Sequence, residues 1–208
     1  MSTLTAAQRR VFISMASRRQ KPGTGSSLDF LRTRTATFRW PDLSSALAPI
    51  PWATIGAVAT RHYMPERMTH DLDIVIAVED GRAAQEKLAR AGYRLRGPLS
   101  IGGSTWTTPD GGTSIDVVEG RDDWWPAAIR EAQENRDQQG LPILSLPYLV
   151  LMKFQSGRVQ DFADITRMLG QADAPMLARV REVFAQRTPD ERADLESMIT
   201  LGKMEIQP

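Results

Sequence analysis

The sequence contains no cysteine, and its 208 residues carry only two histidines, His62 and His70. Disulfides, thiolate metal sites and cysteine nucleophiles are thereby excluded, and zinc, held mainly by Cys and His, loses its usual donors. The two histidines read as surface or loop residues, which leaves carboxylates as the main supply of chemistry. Long apolar runs are missing too: nothing approaches the roughly 20 residues that a membrane span needs. The N-terminus lacks the uninterrupted apolar core of a secretory signal, so a cytoplasmic bacterial protein with no membrane partner is expected. Internal repeats are absent, and the single low-complexity stretch, Gly23 to Ser27, reads as linker. A chain of this length forms one domain, or one domain with appendages, and can bury a proper core.

Excess charge of one sign is absent from the chain as a whole, whose formal net charge is +1, but not from its parts. Residues 1–40 hold eight basic side chains (Arg9, Arg10, Arg18, Arg19, Lys21, Arg32, Arg34 and Arg39) against Asp29 alone, which leaves about −6 for the remainder. Residues 1–39 are therefore expected to form a basic, partly disordered N-terminal arm around the KPGTGSS linker. Such an arm either tracks a phosphate backbone without reading sequence or is simply a solvated leader.

What the chain does have is a pair of aspartates placed together. Thr69 to Val78 reads THDLDIVIAV, a β-branched apolar run with Asp71 and Asp73 at its start. Side chains alternate along a strand, so Asp71, Asp73 and Val75 share one face while Leu72, Ile74 and Ile76 point into a core. Adjacent like charges repel and resist burial unless a positive charge sits between them. A hard divalent cation such as Mg²⁺ supplies that charge, being held by one or two carboxylates plus substrate phosphates.

Two other stretches converge on the same place. Ala53 to Ala59, ATIGAVA, reads as a short strand that reaches Gly56 and turns into a helix from about Val58 to Tyr63. Thr113 to Val118, TSIDVV, sets Asp116 alone among apolar neighbours on another strand. The pattern is thus Ile55-Gly56-Ala57, thirteen intervening residues, Asp71-Leu72-Asp73-Ile74, and later Ile115-Asp116-Val117. It resembles the nucleotidyltransferase superfamily typified by DNA polymerase beta, whose signature is a strand-ending glycine, a spacer of this length, a two-carboxylate strand and a third carboxylate further on. The stretches RMTHDLDIVI, from Arg67, and LVLMKFQSGRVQDFADITRML, from Leu149, are similar to the small bacterial nucleotidyltransferases of the toxin-antitoxin and abortive-infection type. The resemblance covers roughly residues 51–169.

Several expectations follow from the resemblance. The fold is α+β (α/β), a small mixed β-sheet nucleotidyltransferase core covered by helices on one face, with a C-terminal helical cap. Asp71 and Asp73 hold two Mg²⁺ ions, and Asp116 ligates the catalytic one and takes or orients the acceptor proton. Gly56, Ala57, Arg67, Thr69 and Lys153 are the nucleotide-binding candidates. Ala57 departs from the family, which usually has Ser or a second Gly there, so a hydroxyl contact to phosphate is lost or supplied elsewhere. Asp161 and Asp164, three apart on one helix face, pair with Lys153 or Arg158; an ion cluster fixing the cap helices is the alternative role for Lys153. The activity implied is transfer of a nucleoside monophosphate from an NTP to a hydroxyl of RNA, such as a tRNA end, or of a partner protein, in a toxin-antitoxin setting. Two alternatives stay open: a modifier of small molecules such as antibiotics, and a non-catalytic antitoxin-like or regulatory binding protein of the same fold, for which Ala57 argues.

Residues 40–140 are expected to be the core domain and 141–208 the helical region. Trp40 to Leu47 reads as a short helix, and Asp80 to Ala91 as a surface helix capped by Asp80 and ended by Gly92. Leu99 to Thr107 and Thr113 to Val118 flank Pro109-Asp110-Gly111-Gly112, a turn signal that makes them an antiparallel hairpin. Asp123 to Gln138 reads as a helix whose Trp124 and Trp125 are core or staple residues, and Pro142 to Ser145 as a short strand. Leu146 to Ser156 and Val159 to Leu169 are helices broken around Gly157. Ala174 to Gln186 and Pro189 to Leu201 complete the cap.

Overall fold

A computed structural model describes residues 4–19, 39–64 and 69–206. In chain order its elements are α1 (Ala6–Arg19), α2 (Ser44–Leu47), β1 (Ala53–Thr54), α3 (Gly56–Thr60), β2 (Asp71–Ala77), α4 (Gly81–Arg90), β3 (Arg94–Pro98), β4 (Gly103–Thr107), β5 (Ser114–Gly120), α5 (Trp125–Ala132), α6 (Leu146–Ser156), α7 (Val159–Gln171), α8 (Ala174–Arg187) and α9 (Arg192–Ile206). The chain divides into two compact units, one of Thr37–His62 and Glu66–Ser145, the other of Met1–Ala36, Tyr63–Pro65 and Leu146–Pro208.

The first unit is built on a five-stranded mixed sheet in the order β1-β2-β5-β4-β3. Only β2 and β5 run parallel; the other neighbours are antiparallel. The alternation in the sequence explains why β2 and β5 take the centre. Leu72, Ile74 and Ile76 on β2 and Ile115 and Val117 on β5 are buried on one face, each contributing about 1.5–3 kcal/mol by leaving water. Trp106 on β4 joins them, its indole N–H satisfied by Ser104 Oγ at 2.8 Å. On α5 the spacing Trp125, Ala128, Ile129, Ala132 gives a buried helical face. The α+β class and the mixed sheet expected from the sequence are both present.

The second unit is helical. Phe154 of α6 meets Phe184 of α8 edge-on, with centroids 5.2 Å apart, in a core shared with Met168, Val180, Leu195 and Met198. Helices α7 and α9 approach so closely at Gly170 and Gly202 that a Cβ on Gly202 would lie 2.1 Å from the Thr166 carbonyl oxygen. Lys203 Nζ then donates to the Gly170 and Ala172 carbonyls at the end of α7, at 2.9 and 2.7 Å. At the start of α8, Asp173 Oδ1 accepts from the Met176 amide at 2.8 Å.

The stretch expected as an arm contains a helix. Arg9 of α1 is buried: its guanidinium bonds Asp194 Oδ2 at 3.0 Å, pairs with Glu191 and lies 4.4 Å from the Phe154 ring centroid. Residues 20–38 lie outside the described residues.

Local differences from the sequence reading have local causes. β3 was not foreseen, because Arg94, Leu95 and Arg96 are exposed on both faces of an edge strand and show no alternation. The helix from Asp123 stops at Ala132, where Asn135 leaves helical pairing to bond Ile143 through both backbone and side chain. Pro142 to Ser145 forms two isolated bridges, Ile143 with Thr54 and Pro142 with Arg136, rather than a strand. Asp80 ends a 3-10 turn, Val78–Asp80, and makes no side-chain cap. The hairpin turn is as expected, with the Asp110 carboxylate accepting from the Thr108 hydroxyl and the Gly112 amide. Its first strand begins only at Gly103.

Candidate functional site

The register of the central strands fixes where the three aspartates stand. Asp73 on β2 is the direct partner of Asp116 on β5, and Asp71 is the partner of Ser114. On the other side of β5, Asp116 faces Thr105 of β4 and Ser114 faces Thr107. Because side chains two apart share a face, the sheet presents two polar rows across three strands: Asp73, Asp116, Thr105, and next to it Asp71, Ser114, Thr107. Asp71 is exposed and the other five are half-buried, opposite the apolar face of Leu72, Ile74, Ile115 and Val117. The sequence therefore brings Asp73 and Asp116 side by side on an open face, with Asp71 one step along.

Gly56 closes one end of this face. It has φ +63°, and a Cβ there would sit 1.9 Å from Asp73 Oδ2, so both the backbone conformation and the space demand glycine. The Ile55 amide donates to the Asp73 carbonyl at 2.9 Å, locking the loop to β2. The helix α3 begins at Gly56, two residues earlier than the apolar pattern predicts. The Ala57 side chain is buried, 3% exposed, and belongs to the packing of α3. Thr69 Oγ1 lies 3.4 Å from the Asp71 carbonyl oxygen, a long contact that braces the entry to β2. Arg67 lies outside the described residues.

Lys153 sits in the helical unit and is almost wholly buried, 1% exposed. Its ammonium donates to Asp161 Oδ1 at 2.8 Å and to Asp164 Oδ2 at 2.9 Å. Arg158 Nε adds a bond to Asp161 Oδ2 at 2.7 Å, and the Ser156 hydroxyl donates to the same oxygen. Burial pushes the Asp161 carboxyl up, but the Arg158 bond, the Lys153 charge and the Ser156 hydroxyl hold it net below the ordinary aspartate value. Two cations and two carboxylates thus balance across the Gly157 break between α6 and α7.

Sequence reasoning missed Thr105. Its hydroxyl donates to Asp116 Oδ1 at 2.7 Å. The only signal was its place in the hairpin, two strands being paired through a turn at residues 109–112, and the register needed to put Thr105 opposite Asp116 comes from the fold. Ser114 and Thr107 were missed for the same reason.

Among the described residues no three His, Cys, Asp or Glu side chains are gathered closely enough to hold an ion by themselves. The donor set nevertheless fits Mg²⁺. It consists of hard oxygens, and Mg²⁺ is ordinarily bound through one or two carboxylates, with water and substrate phosphate completing the shell. Asp73 and Asp116, adjacent in register on an open face, supply that partial set.

No protein-family model matches the sequence, and no curated protein sequence matches it. Among solved structures, the chain is similar to the antibiotic-resistance factor ANT(2'')-Ia in solution, with 13% identity, a TM-score of 0.40 and coverage of 93% of this chain and 91% of that one. It is also similar to ANT(2")-Ia in complex with adenylyl-2"-tobramycin, with 10% identity, a TM-score of 0.38 and coverage of 91% and 97%. Likenesses of this depth leave the chemistry to be argued from the side chains. No helix among the described residues is long and apolar enough to cross a membrane.

Proposed function

We propose that the chain is a Mg²⁺-dependent nucleotidyltransferase that moves a nucleoside monophosphate from an NTP to a hydroxyl of RNA or of a partner protein, in a toxin-antitoxin setting. The observation that carries the reading is the pairing of Asp73 with Asp116 across two parallel strands, on the polar face of the sheet, with Gly56 seated on Asp73. A sheet that gains nothing from adjacent carboxylates keeps them where a cation and a charged substrate can reach them.

Asp73 and Asp116 would hold the cation, with Asp71 one step along the same face to add its charge through water or substrate; a bound cation would neutralise charge on the triphosphate and lower the pKa of the attacking hydroxyl. Asp116 orients that hydroxyl and takes its proton. The acceptor oxygen forms a bond to the α-phosphorus, the bond from that phosphorus to the bridging oxygen breaks, and pyrophosphate leaves with the electron pair. Gly56 admits the donor close to Asp73 because no side chain intervenes, and Thr69 steadies the backbone at Asp71. Arg67 is proposed to reach the phosphates. Lys153, with its ammonium committed to Asp161 and Asp164, serves the helical unit in this account. The basic surface of α1, where Arg10, Arg18 and Arg19 are exposed, favours a polyanionic acceptor.

Incubation with each α-labelled NTP, Mg²⁺, total RNA and cell lysate tests the reading. Label is expected in RNA or in one protein band, and to vanish in Asp71→Ala/Asp73→Ala/Asp116→Ala. Label appearing only on an added aminoglycoside would move the acceptor to small molecules. Absence of label under every donor would remove the enzymatic reading and leave a binding protein.

A further inference from the structure

Asp116 stands between two unlike neighbours. On β2 its partner is Asp73, a second carboxylate, and on β4 its partner is Thr105, a hydroxyl donor. Repulsion from Asp73 turns the Asp116 carboxylate away from β2 but gives neither of its oxygens a fixed seat. The Thr105 hydroxyl does: at 2.7 Å from Oδ1 it makes a bond to a charged acceptor, the stronger class of hydrogen bond. Thr is also β-branched and stiff at χ1 on a strand, so its hydroxyl is held ready rather than found by chance. Both residues are half-buried, where such a bond is not simply exchanged for water.

We infer that Thr105 is a positioning residue of the carboxylate site: its hydroxyl fixes Asp116 Oδ1, so that Oδ2 is the oxygen given to a cation or to the acceptor hydroxyl. The inference rests on the nucleotidyl-transfer reading. It adds a side chain from a third strand, outside the carboxylate pattern, and makes β4 part of the site. Among the described residues, Ser114 and Thr107, the neighbouring cross-strand pair, make no such bond to a carboxylate, which sets Thr105 apart from them.

Mn²⁺ binding in the presence of α,β-methylene NTP analogues, followed by the electron paramagnetic resonance of free Mn²⁺, reads the arrangement without turnover. Thr105→Val keeps the shape and removes the hydroxyl, and is expected to weaken Mn²⁺ affinity about 10- to 100-fold, as loss of a partner that orients a ligand does. Thr105→Ala should match it, in case the valine variant folds poorly. Thr105→Ser should return to within about threefold of wild type, since the hydrogen bond is restored. In an Asp116→Asn background, Thr105→Val should change nothing further, because its effect passes through Asp116. Melting temperatures are expected to stay close together across the series. Wild-type affinity in both Thr105→Val and Thr105→Ala would overturn the inference while leaving the nucleotidyltransferase reading intact, as would an additive loss in the Asp116→Asn background. A wild type that binds no Mn²⁺ with any analogue would remove both together.

Discussion

Gly56 is the residue whose replacement should be felt most sharply relative to its size. Its positive φ costs a side chain strain, and the added methyl would have to displace Asp73 Oδ2, only 1.9 Å from the ideal Cβ. Gly56→Ala is expected to cost about 1–3 kcal/mol of stability and to abolish label transfer, measured by denaturant unfolding alongside the NTP assay. Stability loss with unchanged transfer would mean that Asp73 is not at the reacting centre. Lys153 is predicted to behave in the opposite way. Lys153→Met removes the ammonium that the buried Asp161 and Asp164 share, leaving Arg158 and Ser156 on Asp161, at a cost of about 3–5 kcal/mol, while the surviving folded fraction turns over normally. Loss of transfer without loss of stability would return Lys153 to the nucleotide. At this scale the Asp71, Asp73 and Asp116 pattern was legible because spacing and alternation alone put carboxylates on strands. Thr105 was not, since its meaning depends on which residue it faces across a hairpin.

The elements that could be read were those with a strong internal period. α6 and α7 fall where the sequence puts them, broken at Gly157, and β2 and β5 follow their apolar alternation. β3 escaped notice because an edge strand exposed on both faces carries no burial signal. The tail of α5 was overextended because the competing Asn135–Ile143 bonds are tertiary. Between α6 and α7, the depressed Asp161 carboxyl makes a pH prediction. A group whose folded pKa lies below its unfolded value, about 3.9 for Asp, contributes stability that is complete above that value and is lost as pH falls through the folded one. The urea midpoint of the helical unit should therefore be level from about pH 8 to 5 and fall below about pH 4. Asp161→Asn should start lower and flatten this acid limb. An acid limb of unchanged steepness in that variant would assign the loss to other carboxylates.

For the whole molecule, composition correctly indicated a chain able to fold around a substantial core, and the strand-and-helix order indicated an α+β arrangement. It did not show that the basic N-terminal stretch helps to build a folded unit. Arg9 lies in a sequence with no acidic neighbour and found its partners, Asp194 and Glu191, some 180 residues away. Arg9→Ala is expected to destabilise the helical unit by about 3 kcal/mol, because the buried Asp194 keeps only the exposed Arg10, 3.8 Å away, as a cation; amide hydrogen exchange in α9 checks it. Unchanged protection there would make α1 an accessory. The account as a whole stands on the carboxylate face of the sheet, and thermal melting with Mg²⁺ and each NTP reads it directly. Ligand bound only by the native state raises the melting temperature by linkage, equivalent to about 2.7 kcal/mol at a hundred times Kd. The account predicts such a rise with at least one NTP in the wild type and none in Asp71→Ala/Asp73→Ala. No rise with any NTP, or the same rise in both proteins, would contradict it.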